Sequence, residues 1–432
     1  MDVKKNTDIR DVWVSLRIIL LSLILYLSSD FNVVIVIIAI TIIFFYRKIG
    51  VFFNPVSLFC LSFGISIVIT KLCEELDLLR GLLFTDSLQA IYYYKLSIIV
   101  FCLPWLFVRK QPHNDNIFAT NFSEYESKKT IYLLNRLSVI LAICVLVSFY
   151  FLGGVPMFKM ITGETDINEH NRLIESLPLG LLAIILNISF VLTLLVSSVI
   201  SNRKQFKISN LNIVFIVVIL IIAATWQGKR QGLLVLIFLI TARLFQNKIN
   251  FLTNKKTYVL LTFGVLLFMI LFSNIASYRN FGGSSFTNDE LLKYAMYPVM
   301  NMAAITKNTP INGHGSLIPL HTFQDFVPYK MRQETQKMYT ENIFEPTSPS
   351  GYLAAWYLDY GRFGVILGTL ILSLSALHLF MQRTKSEKYM RYYVFILWCC
   401  ATVNIYAHFI SLNFFILPFI IIMLIDKVKI SV

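Results

Sequence analysis

The chain has 432 residues, of which 56% are hydrophobic and only 14% are charged. Its mean hydropathy is +0.68, whereas soluble domains are about half apolar and about a quarter charged. This composition excludes an ordinary soluble protein. Apolar runs of about 17–25 residues favour membrane-spanning helices over barrel strands. The formal net charge of +14 would suggest nucleic acid in a soluble protein, but the basic residues lie in short loops, so no nucleic-acid partner is predicted.

Apolar segments taken in chain order predict an all-α, polytopic integral membrane protein with about twelve transmembrane helices. The long connection at residues 274–350 separates a bundle of spans one to nine (1–273) from a bundle of spans ten to twelve (351–432). The predicted spans are 12–29, 31–46, 52–72, 89–108, 131–151, 178–200, 211–226, 233–246, 257–273, 352–380, 391–407 and 409–425.

The charges between spans predict the orientation of the chain. Basic residues follow every even-numbered span, as Arg47 and Lys48 follow span two. Acidic residues are more frequent after odd-numbered spans, as in the loop at 152–177. Because short cytoplasmic loops are enriched in Lys and Arg, both termini are predicted to be cytoplasmic. The loops at 152–177 and 274–350 then face outward.

The large outward connection, 274–350, is predicted to be a folded cap over one mouth of the bundle. It is polar but carries aromatic and aliphatic residues throughout, so it can fold. Thr287 and Glu290 have the spacing of a helix capping box, which predicts a helix that Pro298 interrupts after about Tyr297. The apolar face of this helix favours a position on the membrane surface or over the mouth of the bundle.

Cations in the outward loops are exceptions to the positive-inside pattern. Lys229 and Arg230 form an acid-free turn between spans seven and eight, Arg279 follows span nine, and Arg172 lies in the loop at 152–177. The planar guanidinium fork suits an anionic phosphate, so these four residues are predicted to bind one. Snorkelling and local salt bridges are the alternatives, above all for Arg172, which has several acidic neighbours.

General-base candidates lie in the large loop, at His321, His314 and Asp325. Histidine is the side chain best suited to proton transfer near neutral pH, although a loop histidine can equally serve only in hydrogen bonding. Residues 163–170 have the acids and the histidine of a divalent metal site, but nothing in them sets a ligand geometry, which favours a solvated loop. The sequence has no motif for a nucleotide phosphate. No metal or cofactor is therefore predicted.

Motifs in a fixed order around this loop give a resemblance to a known family. Over about residues 225–380, the chain resembles the bacterial oligosaccharide repeat-unit polymerases, which include the O-antigen and enterobacterial common antigen polymerases. The matching places are the glycine-basic turn at Gly228–Leu234, Asn301, Asn312–Gly315, Phe326–Tyr329, Thr347–Gly351 and Tyr357–Gly364.

The resemblance implies a membrane glycosyltransferase of the bacterial inner membrane, with the large loop in the periplasm. Its substrates would be undecaprenyl-pyrophosphate-linked glycans, and the pyrophosphate would be the leaving group bound by the outward cations. A chain-length regulator and a flippase in the same membrane are the implied partners. The alternatives are a flippase or other transporter of lipid-linked oligosaccharide, and an O-antigen ligase.

Overall fold

The computed structural model is all-helical wherever it describes the chain, and no strand occurs there. This confirms the predicted helical class. The described residues are 17, 19–28, 30–51, 53–75, 87–108, 123–156, 159, 177, 179–225, 231–247, 288–308, 351–404 and 415–428.

The helices are numbered here in chain order. They are α1 (19–27), α2 (Phe31–Ile49), α3 (Pro55–Glu75), α4 (Ser87–Cys102, continued by the 3-10 helix Leu103–Phe107), α5 (Glu124–Phe151), α6 (Leu179–Ser201), α7 (Asn210–Thr225), α8 (Gln231–Asn247), α9 (Asn288–Asn308), α10 (Gly351–Gln382), α11 (Glu387–Thr402) and α12 (Leu417–Lys427).

Six of the described helices contain segments long and apolar enough to cross a membrane, which supports a membrane-embedded protein. These segments are Asn32–Ile49, Pro55–Leu72, Ala90–Phe107, Glu124–Phe151, Ile184–Ser201 and Leu353–Gln382. Helices α7 and α8 are apolar but shorter. The predicted span at 257–273 lies outside the described residues, as does most of the connection at 274–350.

Local sequence signals determine where several helices begin and end. The Asp30 carboxylate accepts a hydrogen bond of 2.7 Å from the backbone N–H of Asn32 and so caps the start of α2. Gly50, in the left-handed region at φ 82°, ends the same helix. Ser123 and Glu126 form a reciprocal capping box at the start of α5.

Helix α9 differs from the helix predicted in the large connection. It continues through Pro298 to Asn308, so the predicted end near Tyr297 is wrong. Val299, Asn301 and Met302 are fully buried, and tertiary packing on several sides compensates for the hydrogen bond that a proline cannot donate. This half of α9 is therefore buried within the protein and does not lie on a surface.

The chain forms two compact units. Unit 1 contains Met1–His113, Asp289–Met381 and Cys399–Ser411, and unit 2 contains Asn114–Asn288, Gln382–Trp398 and Leu412–Val432. In unit 1, α3 packs against both α2 and α4.

Polar contacts at the helix ends define how the helices of unit 1 run. The Lys48 ammonium, at the end of α2, donates to the carbonyl oxygen of Leu106, just after α4, at 2.7 Å. The Lys71 ammonium, near the end of α3, donates to the Asn32 side chain at the start of α2, at 3.1 Å. Helices α2 and α4 therefore run in the same direction, and α3 runs opposite to them.

Unit 2 is built around α6, which packs against α5, α7, α8 and α12. An ion cluster, formed by Arg243, Glu387, Arg391 and Asp426, joins the ends of three helices in this unit. The Arg243 guanidinium on α8 donates to the Glu387 carboxylate on α11 at 2.7 and 3.2 Å. Arg391 donates to Asp426 of α12 at 2.6 Å.

The ion cluster is buried, with Arg243 0% and Glu387 5% exposed. Burial raises the pKa of the Glu387 carboxyl, but the charge and hydrogen bond of Arg243, with Arg391 and Ser198, more than offset it, so the pKa is lowered. Nearby, burial lowers the pKa of Arg383 to about 10, and this guanidinium lies 5.8 Å from the centre of the Tyr393 ring. Glu387 and Arg383 therefore remain charged near neutral pH.

Candidate functional site, a tyrosine cluster in unit 1

Four tyrosines and one arginine meet in unit 1 where α1 ends, α4 begins and α10 bends. This group, called the tyrosine cluster below, consists of Tyr26, Tyr92, Tyr93, Tyr357 and Arg362. The sequence brings it together through the run Tyr92-Tyr93-Tyr94-Lys95 near the start of α4 and through the bend in α10.

The tyrosine rings form a continuous chain of edge-on contacts. Ring centres lie 5.7 Å apart for Tyr26 and Tyr92, 5.2 Å for Tyr92 and Tyr93, and 5.0 Å for Tyr93 and Tyr357. These are favourable distances for edge-to-face aromatic pairs. The hydroxyls of Tyr26 and Tyr92 are 3.2 Å apart and share a hydrogen bond. The rings therefore hold one another in position across three helices.

Gly361 determines where Arg362 points. Its backbone has φ 59° and ψ −142°, which interrupts α10 between two helical segments. Positive φ costs glycine little and other residues more. The spacing of Asp359 and Arg362 predicts a salt bridge one helical turn apart, but the bend breaks that register. The exposed Arg362 guanidinium instead lies 5.1 Å from the centre of the Tyr92 ring, a cation–π arrangement.

Lys95 stabilises the position of Tyr26 in the tyrosine cluster. Its ammonium, on a side chain only 7% exposed, donates to the carbonyl oxygens of Ser28 at 2.6 Å and Tyr26 at 3.3 Å. The last carbonyls of a helix lack partners within the helix, and a cation there is favourable. Lys95 thus fixes the end of α1, and with it the Tyr26 ring, against α4.

This arrangement can bind a ligand that presents both apolar faces and anionic or hydroxyl groups. Tyrosine offers an apolar ring and a hydroxyl that can donate or accept. Arg362 is exposed and offers a fork of donors that matches phosphate or carboxylate. Sugar rings combine C–H faces with hydroxyls, so a glycan joined to a phosphate is a chemically suitable ligand.

The residues predicted from sequence to form the site are not among those that the structure describes. They are Arg172, Lys229, Arg230, Arg279, His314, His321 and Asp325. Their phosphate-binding and base roles stay predictions. Four parts of the family-like motifs are described. Residues 231–234 begin α8, Asn301 is fully buried, Gly351 begins α10, and Tyr357–Gly364 contributes directly to the tyrosine cluster.

Tyr92, Tyr93 and Lys95 were not predicted from the sequence to belong to a site. A signal was present, because three consecutive tyrosines and a lysine inside an otherwise apolar span are unusual for residues that face lipid. Tyr26 had no comparable signal. Only the contacts between α1 and α4 bring it to the cluster.

No protein-family model, no curated protein and no solved structure matches the chain.

Proposed function

We propose that this protein polymerises undecaprenyl-pyrophosphate-linked oligosaccharide repeat units on the outer leaflet of the bacterial inner membrane. The tyrosine cluster carries the proposal. It combines aromatic faces, hydroxyls and an exposed guanidinium, and the Tyr357–Gly364 motif that resembles the polymerases supplies part of it. In the orientation predicted from charge, it lies at the outer membrane face.

Helix-end contacts agree with the alternating topology on which this proposal depends. In unit 2, the ion cluster joins the end of α8, the start of α11 and the end of α12. The Lys129 ammonium, near the start of α5, also donates to the Asp426 carbonyl oxygen at 2.9 Å. The sequence predicts all four of these ends on the cytoplasmic side. Contacts within unit 1 likewise join ends with the same predicted side.

The proposed reaction forms one glycosidic bond and breaks one bond to the carrier. An acceptor hydroxyl of one lipid-linked unit attacks the anomeric carbon of the other, and the C–O bond to undecaprenyl pyrophosphate breaks. Arg230, Arg279, Lys229 and Arg172 bind the departing pyrophosphate and stabilise its growing charge. The hydroxyl proton passes to a base in the periplasmic loop, for which the candidates are those named above.

Deletion in the native host distinguishes this function from its rivals. Loss of a polymerase leaves surface glycan that carries a single repeat unit. Loss of the ligase leaves no glycan attached, and loss of the flippase traps the repeat unit inside the cell. The proposal predicts the single-unit pattern, with long glycan restored by the plasmid-borne gene. Either of the other two patterns contradicts it.

The topology is tested by reporter fusions at two positions. Fusions at Ser285 and Lys385 are expected to report opposite sides, periplasmic for Ser285 and cytoplasmic for Lys385, because basic residues concentrate around Lys385. A periplasm-active enzyme and a cytoplasm-active fluorescent protein should therefore give reciprocal signals. The same side for both positions would contradict the predicted orientation.

The tyrosine cluster is tested by removing one ring at its centre. Tyr93→Ala is expected to shorten the surface glycan, because it removes contacts to two neighbouring rings. Each such aromatic contact contributes about 0.5–1.5 kcal/mol to the packing of the cluster. Tyr93→Phe keeps the ring and should retain most activity. Glycan laddering at matched protein level measures both.

The matched control for this prediction is Tyr150→Ala. Tyr150 lies at the end of α5 in unit 2 and is 84% exposed, so its removal should leave chain length unchanged. Native ladders from Tyr93→Ala would exclude the cluster from the site.

A further inference from the structure

Residues 351–360 fold back against the rest of α10. A Cβ built on Gly368 would lie 2.5 Å from the Trp356 indole, and one built on Gly364 would overlap the Trp356 carbonyl oxygen. In a straight helix, Trp356 would lie about 12 Å from Gly364 and about 18 Å from Gly368 along the axis. The bend at Gly361 therefore reverses the chain and brings Trp356 onto the second segment.

The contact has the character of close helix packing in membranes. Gly364 and Gly368 are four residues apart, the small-xxx-small spacing that lets helix backbones approach. The Trp356 carbonyl lies over Gly364, and the Trp356 indole lies over Gly368. Every residue from Leu353 to Asp359 is buried, so the first segment lies inside the protein.

The two helical segments of α10 differ in whether they are long enough to cross the membrane. Residues 362–382 form about 31 Å of helix, enough to cross the hydrocarbon core, whereas residues 351–360 form only about 15 Å. We propose that residues 351–360 are a re-entrant half-helix that begins at about half the depth of the membrane and rises to the tyrosine cluster. Trp356 packs against Gly364 and Gly368 and positions the half-helix.

The half-helix places Gly351, the first described residue of α10, at about half the depth of the membrane. Backbone polar groups at that depth need partners in protein or in a water-filled cavity. The half-helix also carries the buried Asp359 and the cluster ring of Tyr357. Glycan binding by the tyrosine cluster rests on the proposed function. The fold-back of residues 351–360 is independent of that function.

The test is a double-variant comparison of melting in detergent, which needs no glycan assay. Gly368→Ala should lower the melting temperature by roughly 2–12 °C, because its new methyl group meets the Trp356 indole. Trp356→Leu should partly suppress this loss, so that the double variant melts higher than Gly368→Ala alone. In a straight helix, residues so far apart would show additive effects.

Gly364→Ala is the internal control. Its methyl group would meet the Trp356 backbone carbonyl, so Trp356→Leu should not restore it. Gly64→Ala meets the Cγ2 methyl of Ile38 at 3.1 Å, so that side chain must move by only a few tenths of an ångström. It should therefore lower the melting temperature less than Gly368→Ala does. Native-like melting of Gly368→Ala, or additive losses in the double variant, would overturn the half-helix.

Glycan laddering of the suppressed double variant then tests the link to the tyrosine cluster. Recovery of long glycan supports positioning by Trp356, and folded protein with short glycan contradicts it.

Discussion

Arg243→Ala is expected to lower the free energy of unfolding by about 3–5 kcal/mol, because it leaves the Glu387 carboxylate charged in a buried site. The guanidinium makes two hydrogen bonds to this carboxylate, and both side chains are almost fully buried. Removing one partner of such a pair costs far more than the net contribution of the pair itself. Thermal unfolding in detergent, followed by circular dichroism, measures the loss.

A matched control uses an exposed ion pair in the same unit. Lys128 lies 3.4 Å from Glu124 on α5, with the side chains 54% and 85% exposed. Lys128→Ala should cost less than about 1 kcal/mol. The double change Arg243→Met and Glu387→Leu should recover much of the stability, because neither residue then leaves an unpaired charge in the buried site. Equal losses for Arg243→Ala and Lys128→Ala would show that the ion cluster does not stabilise unit 2.

The pH dependence of this contribution follows from the lowered pKa of Glu387. A carboxyl whose folded-state pKa is lowered stabilises the protein at pH values above its ordinary pKa of about 4.3, and the contribution is lost as the pH falls further. The ion cluster should therefore contribute equally at pH 6 and pH 8.

Arg230→Ala and Arg279→Ala are expected to abolish long glycan while protein level stays normal. If these guanidinium groups bind the departing pyrophosphate, they stabilise charge that grows in the transition state. Losing one such donor typically costs about 2.7–4 kcal/mol, or about 10²- to 10³-fold in rate. Arg230→Lys should restore only part of the activity, because an ammonium cannot reproduce a two-pronged contact. Glycan laddering with a quantitative blot for the protein measures each variant.

Arg136→Ala is the control for this pair of variants. Its guanidinium stacks 5.3 Å from the centre of the Tyr132 ring on α5, near the end predicted to be cytoplasmic. It should leave the ladder unchanged. Wild-type chain length in Arg230→Ala would remove Arg230 from the proposed site.

The class of fold followed from the sequence because membrane helices are encoded by length and hydropathy. Runs such as those of α2, α3 and α6 are long, apolar and bounded by charged or capping residues, and the structure has helices there. Residues that normally end a helix predicted helix ends less well where tertiary packing stabilises a longer helix. Pro298 would end an isolated helix, yet α9 continues because its residues on both sides are buried.

The bend in α10 could not be predicted from the sequence. Hydropathy over 352–380 predicts one long span, but a glycine at positive φ divides it into two segments. Glycine is common in membrane helices, so Gly361 alone did not predict a reversal. The contact of Trp356 with Gly364 and Gly368 revealed it.

The candidate site was harder to predict than the fold class, because tertiary contacts bring its residues together. Outward cations can be found from charge alone, and this singled out Arg230 and Arg279. The tyrosine cluster instead combines residues from α1, α4 and α10 that lie far apart in the chain. Arg243 was missed for a related reason, since its partner Glu387 is 144 residues away.

Reconstitution tests the proposed polymerase most directly. The purified chain is placed in liposomes with undecaprenyl-pyrophosphate-linked repeat units extracted from the native host, without nucleotide sugar. The products are separated by size, and the released carrier is quantified. The account predicts glycans of two or more repeat units, with one undecaprenyl pyrophosphate released for each new linkage, and little product from Arg230→Ala. Transfer of unextended repeat units across the bilayer, with no carrier released, would contradict it.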